Sequence, residues 1–504
     1  MTLLTDPFAS LATALAAAAA AALVFALVQP LLERGPPGPY PWPFVGILPQ
    51  AFNYIREGRI HDYIDAAMAR YGPIVRLRLF GQSMNIVSDV ESSRRILNSS
   101  EFLREDYLHN ATKDVFCYLL IVMPSGEMWK KHRKLLQPAF GPSHLRHVVQ
   151  VSHQVVSEMA DGWAKMAAAS SDKATIVDVH KYFASLTLDV IGQVAFTHQF
   201  GGVRSMLSGK DNEGLKSFQA LTRAAQLRVA IWPILWHVFG IARTSPFIVK
   251  THQDALKSVM AVLSERKKEL ADNGGKCPRS SKDMEVLDRL LSTTDEGGER
   301  FTEEEIIGEI VGFIFAGHET TANTLSFIFL QLCTHPRVMA KLVAEIDEVY
   351  PTLGGELTIE NMAHFKYLDC VIRESQRFNS VVGSVSRIST QPTEIHGYQF
   401  PAGSRFSVRI RSIHRNPLYW KDPDEFIPER FLEPIVPGSF LPFGDGPMNC
   451  IGQKMANIEM RAVLINLLRR FTFEYVEGQR LRYVTSITHG LKDGLKVRAT
   501  ERQH

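Results

Sequence analysis

Apolar residues recur with a helical period over five long stretches, 254–272, 302–334, 338–350, 365–378 and 450–470, and these predict the main helices of the chain. Strand-like alternation is confined to shorter pieces. Ile74 to Phe80 and Met84 to Ser88 flank Gly81-Gln82 and read as a hairpin. Short apolar runs from Thr393 to Val408, broken by Gly397, Pro401 and Gly403, read as a second β region. Two polar stretches, 273–283 and 293–300, carry neither period and are expected to be plain solvated connections. From about residue 44 onward there is no repeat, no low-complexity linker and no sharp change of composition. One large domain over 44–504, mainly α with a minor β part, is therefore expected.

The first forty residues have a different pattern. Phe8 to Val28 is an uncharged, mostly apolar run of twenty-one residues that includes seven alanines from Ala16 to Ala22. At about 1.5 Å per residue such a helix just crosses a hydrocarbon core of roughly 30 Å. The only charge before it is Asp6, which argues against a cleaved signal peptide, and Arg34, Arg56 and Arg59 follow it, which would hold the rest of the chain on the cytoplasmic side. Residues 8–32 are thus expected to be a membrane anchor. Residues 33–43, with Gly35-Pro-Pro-Gly-Pro39 and Pro41-Trp42-Pro43, cannot continue a helix and are expected to form a stiff, extended hinge.

Composition narrows the function. Of 504 residues, 45% are hydrophobic and 22% charged, as in ordinary globular proteins and unlike a disordered or polytopic membrane chain. The 56 basic and 53 acidic side chains leave +3, too small a bias to suggest a nucleic-acid partner. Five cysteines, Cys117, Cys277, Cys333, Cys370 and Cys450, show no CxxC and no short spacing, which disfavours a disulfide scaffold or a zinc site. A reducing compartment fits this usage.

Chemistry is concentrated in Phe443-Gly-Asp-Gly-Pro-Met-Asn-Cys-Ile-Gly452. A cysteine bracketed by glycines at the start of a long helix can meet backbone N–H groups that stabilise its thiolate, the form that binds metal. Buried cysteines after Gly-rich turns are more often inert packing. The arrangement of Phe443, Gly446, Cys450 and Gly452, however, resembles the haem-binding signature of the cytochrome P450 family. The resemblance implies the cytochrome P450 fold, a haem b cofactor and Cys450 as its axial iron ligand. It also implies that Phe443 packs near the sulfur and that Gly446 and Gly452 allow close backbone approach. One position departs: Met448 stands where the family commonly has Arg or His directed at a haem propionate.

Four further motifs extend the resemblance over residues 129 to 452. Trp129 and Arg133 form WxxxR, one helical turn apart, with an indole N–H and a guanidinium suited to carboxylates. Arg387 matches another propionate-facing arginine. Glu374-Ser-Gln-Arg377 matches ExxR and Pro428-Glu-Arg-Phe431 supplies Arg430, implying a partly buried, structural Glu-Arg-Arg network. Taken singly, each would pass for a surface ion pair or a snorkelling arginine.

Ala316-Gly-His-Glu-Thr-Thr321 matches the pattern AGxE/DT, which places Ala316 beside the cofactor. Glycine costs a helix interior about 1 kcal/mol against alanine, so Gly317 suggests a bent or opened turn. The resemblance implies that Glu319 exchanges protons with solvent and that Thr320 steadies reduced dioxygen by hydrogen bonding. His318 falls in the variable slot and reads as a bystander.

These expectations describe a monooxygenase that inserts one atom of O2 into a hydrophobic small molecule. No flavin or nicotinamide fingerprint follows a strand, so the electrons are expected from NADPH-cytochrome P450 reductase, with cytochrome b5 as a second donor. Lys130, Lys131, Arg133, Lys134 and Lys454 form a candidate docking patch. The anchor implies a single-pass protein of the endoplasmic reticulum membrane with a cytosolic catalytic domain. Substrate walls are expected from Phe116 to Val122, Val229 to Phe239, the residues before Ala316, Val381 to Val385 and the region of Ile487. The run Val229 to Phe239 is apolar enough to dip into a bilayer or to serve as an internal contact, and Ser380-Val-Val382 replaces a Pro-Pro pair common in the family. Two other readings share the fold: an isomerase or dehydratase acting on a peroxide, which often lacks the acid-alcohol pair, and a haem carrier or sensor without turnover.

Overall fold

Helix formation here is driven by burial as much as by propensity. Helix Glu303–Thr334 begins with a capping box, in which the Thr302 hydroxyl accepts from the Glu305 N–H and the Glu305 carboxylate accepts from the Thr302 N–H, and three acids fill its first turn. It is apolar on all sides, and Leu325, Phe327, Ile328 and Phe329 are fully buried, each worth roughly 1.5–3 kcal/mol of transfer free energy. The computed structural model describes Ala20, Ala21, Val24, Val28 and every residue from Gly35 on except Cys117, 231–245, Lys282, Ser486 and His504. Its contacts gather into two units, Met1–Leu103 with Ser384–Arg409, and Arg104–Gly383 with Ile410–His504.

The first unit is built on a five-stranded sheet in the order Ile74–Leu79, Gln82–Val87, Arg405–Val408, Val385–Ser389, Phe102–Leu103. Only the pairing of Gln82–Val87 with Arg405–Val408 is parallel. The expected hairpin is present, with its turn one residue earlier than the sequence suggested: Leu79 pairs with Gln82, and Phe80 and Gly81 have φ of 49° and 76°. Positive φ at both central residues is the requirement of a type I′ turn. Ile47, Ala51, Ala67, Met68, Val75, Leu77 and Ile86 form the unit's core. The proline-rich stretch is laid against the first strand, where the Arg76 N–H donates to the Pro37 carbonyl oxygen at 2.9 Å. Among the described residues no helix is long and apolar enough to cross a membrane. The expected anchor, apart from four positions, lies outside the described residues.

The second unit is mostly helical. Helix Val179–Phe196, buried on nearly every side, packs on Glu303–Thr334, and helix Pro142–Ala168 packs on Gln453–Arg470. A three-stranded sheet in the order Ala174–Asp178, Lys496–Glu501, Phe471–Tyr475 and a small hairpin, Tyr483–Thr485 with His489–Leu491, complete it. The five expected helices occur at 246–272, 303–334, 336–349, 366–378 and 453–470.

Both polar stretches are mostly exposed connections, as expected, with ion pairs at a few positions. Asp295 and Glu296 pair with Lys131 and Lys134. Arg279 donates to buried Asp288 at 2.8 Å and lies 3.3 Å from buried Glu285, which also accepts from the Thr197 hydroxyl at 2.5 Å and faces His147 at 3.9 Å. Burial pushes Glu285 up from 4.5 to about 7, against the lowering pull of Thr197 and Arg279. Its folded pKa lies above its unfolded value, so the folded state holds the extra proton between them and stability falls as pH rises through that window. Raising pH from about 4.5 to about 7 should cost on the order of 3 kcal/mol at this site. Thermal midpoints measured across that range should fall less steeply with pH in Glu285→Gln than in the wild type.

Candidate active site

Cys450 lies two residues before Gly452, the N-cap of helix Gln453–Arg470. The loop leading to it is tied by its own backbone: the Cys450 N–H donates to the Phe443 carbonyl oxygen at 2.9 Å and the Asn449 N–H to that of Gly446 at 3.1 Å. Gly444 and Gly446 both take φ of 73°, a conformation that disfavours side-chain-bearing residues there. Gly452 takes an ordinary backbone conformation. Its φ is −86°, and a Cβ would meet Phe140 and the Cys450 sulfur only at 3.9–4.0 Å, so no crowding within the chain itself demands glycine.

The Cys450 sulfur is free, and the residue is exposed on a cavity of about 800 Å³ whose walls also include Trp129, Arg133, Phe140, Asn449 and Lys454. Protein surrounds the sulfur elsewhere, and that burial pushes the thiol up. The N–H groups of Gly452 and Gln453 and the Arg133 guanidinium act in the opposite direction, favouring the thiolate. Arg133 grips the same loop, donating from Nη1 and Nη2 to the backbone and side-chain oxygens of Asn449, both at 3.0 Å. Trp129 is buried against Leu120 and Met123, and Met448 packs on that cluster, with the Ser125 hydroxyl 3.5 Å from its sulfur. Met448 therefore fills apolar space where a charged side chain was expected from the resemblance.

Glu374 and Arg377 form a fully buried, two-point ion pair at 2.8 Å for both bonds. Arg377 also donates to the carbonyl oxygens of His414 and Pro423 at 2.8 Å, and Arg430 Nε reaches Glu374 at 3.1 Å. Nearly every donor of this arginine is thereby satisfied, the condition under which a buried charge is tolerated.

Helix Glu303–Thr334 is buried from Gly308 to Phe315 and from Thr321 to Leu332, yet Ala316, Gly317, Glu319 and Thr320 are partly open. Of the bent or opened turn expected here, the opened form is absent, since the helix is unbroken; a Cβ on Gly317 would stand 2.7 Å from the Ile191 side chain, so close helix packing calls for glycine at this position. Thr320 donates its hydroxyl to the Ala316 carbonyl oxygen at 2.8 Å. His318 is buried, with Nδ1 2.8 Å from the Ile314 carbonyl oxygen, and its own carbonyl accepts from Thr187 at 2.8 Å. The first bond lies within the helix, and the second ties it to helix Val179–Phe196.

Several expected walls meet around this helix. Tyr118 and Leu119 lie against Gly308 and Gly312, where added Cβ atoms would stand 2.3 and 2.9 Å from them. The Thr488 hydroxyl donates to Glu319 Oε1 at 2.5 Å, and the His489 N–H donates to the Val381 carbonyl oxygen at 2.8 Å. Most of the stretch Val229 to Phe239 lies outside the described residues. Arg387 belongs to the sheet unit, on strand Val385–Ser389. It is buried with no acidic partner among the described residues, and burial pushes it down to about 10. A buried cation of this kind suits an anionic group.

The residues thus fit a thiolate-ligated haem by their donor set: a free sulfur favoured as an anion, cations with room for carboxylates, and a partly open acid and alcohol on a core helix. Thr488 and Asn449 were missed in the sequence because each acts through a contact distant along the chain.

The family model for cytochrome P450 matches residues 36–488. Among similar proteins, cytochrome P450 4d2 of Drosophila melanogaster is 28% identical over 92% of this chain and 94% of its own. Cytochrome P450 4V2 of Mus musculus is 30% identical over 80% and 78%, and cytochrome P450 3A28 of Bos taurus 27% over 88% and 85%. With nearly the whole chain matched and its cysteine loop in place, the protein belongs to the cytochrome P450 family of haem-thiolate monooxygenases.

Proposed function

We propose that this chain holds haem b through Cys450 and uses it to insert one oxygen atom of O2 into a hydrophobic small molecule, the other atom leaving as water. The observation that carries this reading is the free Cys450 sulfur, open to a cavity and faced by the Gly452 and Gln453 N–H groups and by Arg133. A thiolate-ligated haem supplies dioxygen binding and O–O cleavage, to which the sulfur lends electron density. The protein's own tasks are then to hold the group, exclude water and deliver protons.

Trp129, Arg133 and Arg387 are the side chains proposed to receive the haem carboxylates, and Phe443 to pack beside the sulfur. Two protons are consumed for each oxygen inserted. Glu319 takes them from solvent and Thr320, one residue on, passes them forward, a reading supported by the partial exposure of both and by the Thr488 hydroxyl that holds Glu319. The buried apolar residues Leu119, Leu120 and Val122 are proposed to back the substrate pocket. The electrons come from a separate NADPH-cytochrome P450 reductase or cytochrome b5. Lys130, Lys131 and Lys134 each face an acid, Glu127, Asp295 and Glu296, whereas Lys454 has no ion pair among the described residues. Lys454, which lines the cavity, is thus the cation best suited to an acidic partner. Residues 8–32 would anchor the chain in the endoplasmic reticulum membrane.

Thr320→Ala tests the proton path. Haem content should be unchanged, while product per NADPH falls at least about tenfold and hydrogen peroxide rises to match. The fall stays at or below the roughly 10²–10⁴ of a full general acid because water can still carry protons. Unchanged coupling would remove Thr320 from the path.

A further inference from the structure

Outside the residues already assigned, one buried side chain touches both halves of the cofactor-holding structure. His414 closes helix Ile410–His414 and is fully buried, its ring stacked on Phe440 at 5.4 Å between centroids. Its Nε2 accepts from the Leu441 N–H at 2.8 Å, its Nδ1 lies 2.8 Å from the Ser380 hydroxyl oxygen, and its carbonyl oxygen accepts from Arg377 Nη1 at 2.8 Å.

Proton accounting fixes the direction of this chain. A backbone N–H can only donate, so Nε2 must carry a lone pair and the neutral ring bears its proton on Nδ1. Nδ1–H then donates to Ser380, whose own hydroxyl turns to the carbonyl oxygens of Gln376 and Arg377 at 3.3 and 3.4 Å. Burial, and then the Arg377 guanidinium, pushes the imidazole down to about 3, so the acceptor persists at any ordinary pH. Leu441 opens the cysteine loop: its carbonyl accepts from Gly444, and Phe443, two residues on, accepts from Cys450. The Leu441 N–H is the point at which His414 holds that loop.

We propose that His414 is a positioning residue that fixes the cysteine loop to the Glu374–Arg377 core and so sets where the sulfur stands. The inference rests on Cys450 being the iron ligand. Its physical content is directional: an acceptor is needed at the position of Nε2, and any side chain lacking one leaves the Leu441 N–H buried and unbonded.

The test uses the full-length haem-loaded chain and the variants His414→Ala and His414→Gln, the second retaining an acceptor near Nε2. Two readouts are followed: the rate at which the reduced carbon monoxide complex loses its thiolate-type Soret band on mild warming, and amide hydrogen exchange in the 441–450 segment. In His414→Ala the band should be lost about tenfold faster, the equivalent of one buried hydrogen bond, and exchange in that segment should rise. In His414→Gln both should stay within about twofold of the wild type, as expected if one acceptor carries the effect. Val463→Ala, a buried change on helix Gln453–Arg470, serves as a control for general loosening, compared at equal distance below each variant's unfolding midpoint.

A wild-type decay rate in His414→Ala, an equal loss in Val463→Ala, or failure of His414→Gln to restore the band would each overturn the proposal. Should His414→Ala not accumulate folded, His414→Asn, too short to reach Leu441, replaces it against His414→Gln with the same expectations. A wild-type chain that never shows the band would sink the Cys450 assignment instead, while exchange at 441–450 would still test the histidine.

Discussion

Cys450→Ala should reduce oxygen insertion by the purified chain with reductase to the background of free haem, with the apolar fold retained. The expectation follows from what the side chain contacts. Among the described residues the polar groups that act on the sulfur are the Gly452 and Gln453 N–H groups and the Arg133 guanidinium. The loop is held independently by the Cys450 backbone N–H on Phe443, by Arg133 on Asn449 and by His414 on Leu441, so alanine removes the ligand and leaves its frame. Neither His318 nor His414 offers a substitute: His318 bonds the Ile314 carbonyl oxygen through Nδ1, and His414 has both ring nitrogens engaged. Haem-supported product formation measured beside a thermal unfolding curve separates the two effects. Loss of product with a near-native midpoint is the expected pair of results, and product formation at a substantial fraction of the wild-type rate would remove Cys450 from the chemistry.

Arg377→Met should be the most damaging single change to the fold. It leaves Glu374 buried with only Arg430 and the Ile427 N–H as partners, and it strips donors from the carbonyl oxygens of His414, Pro423 and Glu425. Breaking a buried ion pair from one side costs about 3–5 kcal/mol. Against a typical stability of about 5–15 kcal/mol this is a large share. Denaturant unfolding of the soluble variant should show that loss, and yields of haem-loaded protein should fall with it. Arg377→Lys should recover little, because a single ammonium cannot reproduce the two-point contact. A loss below about 1 kcal/mol, the range of a surface pair, would show that the network contributes little to stability.

How far the sequence could be read depended on whether the relevant partners were near in the chain. Cys450 and its glycines, Trp129 with Arg133, and Glu374 with Arg377 each fall within one loop or one helical turn, so their spacing was visible. Thr488 meets Glu319 across 169 positions and Arg133 meets Asn449 across 316, and no local pattern marks such pairs. The loop carrying Asp295 and Glu296 was read as solvated and is largely so, while its pairs with Lys131 and Lys134 join positions too far apart to show in any local pattern.

Some structure was legible and missed. Strands Phe471–Tyr475 and Lys496–Glu501 bury every second residue, the period that marks a strand, but sit beside a strong helix and near the end of the chain. Strand Phe102–Leu103 has only two residues, too few for any period. Gly317 was read as the mark of a bent or opened turn, and its close contact with Ile191 adds a packing reason that no local pattern shows. Met448 likewise looked like a missing charge and proved to be part of an apolar cluster with Trp129.

The central claim is that the sulfur of Cys450 is the axial ligand of the haem iron, and the absorption spectrum of the reduced carbon monoxide complex tests it most directly. The full-length chain should give the red-shifted, thiolate-type Soret band, and Cys450→Ala should lose it. A nitrogen-type band in the wild type, or a thiolate-type band that survives the substitution, would contradict the account.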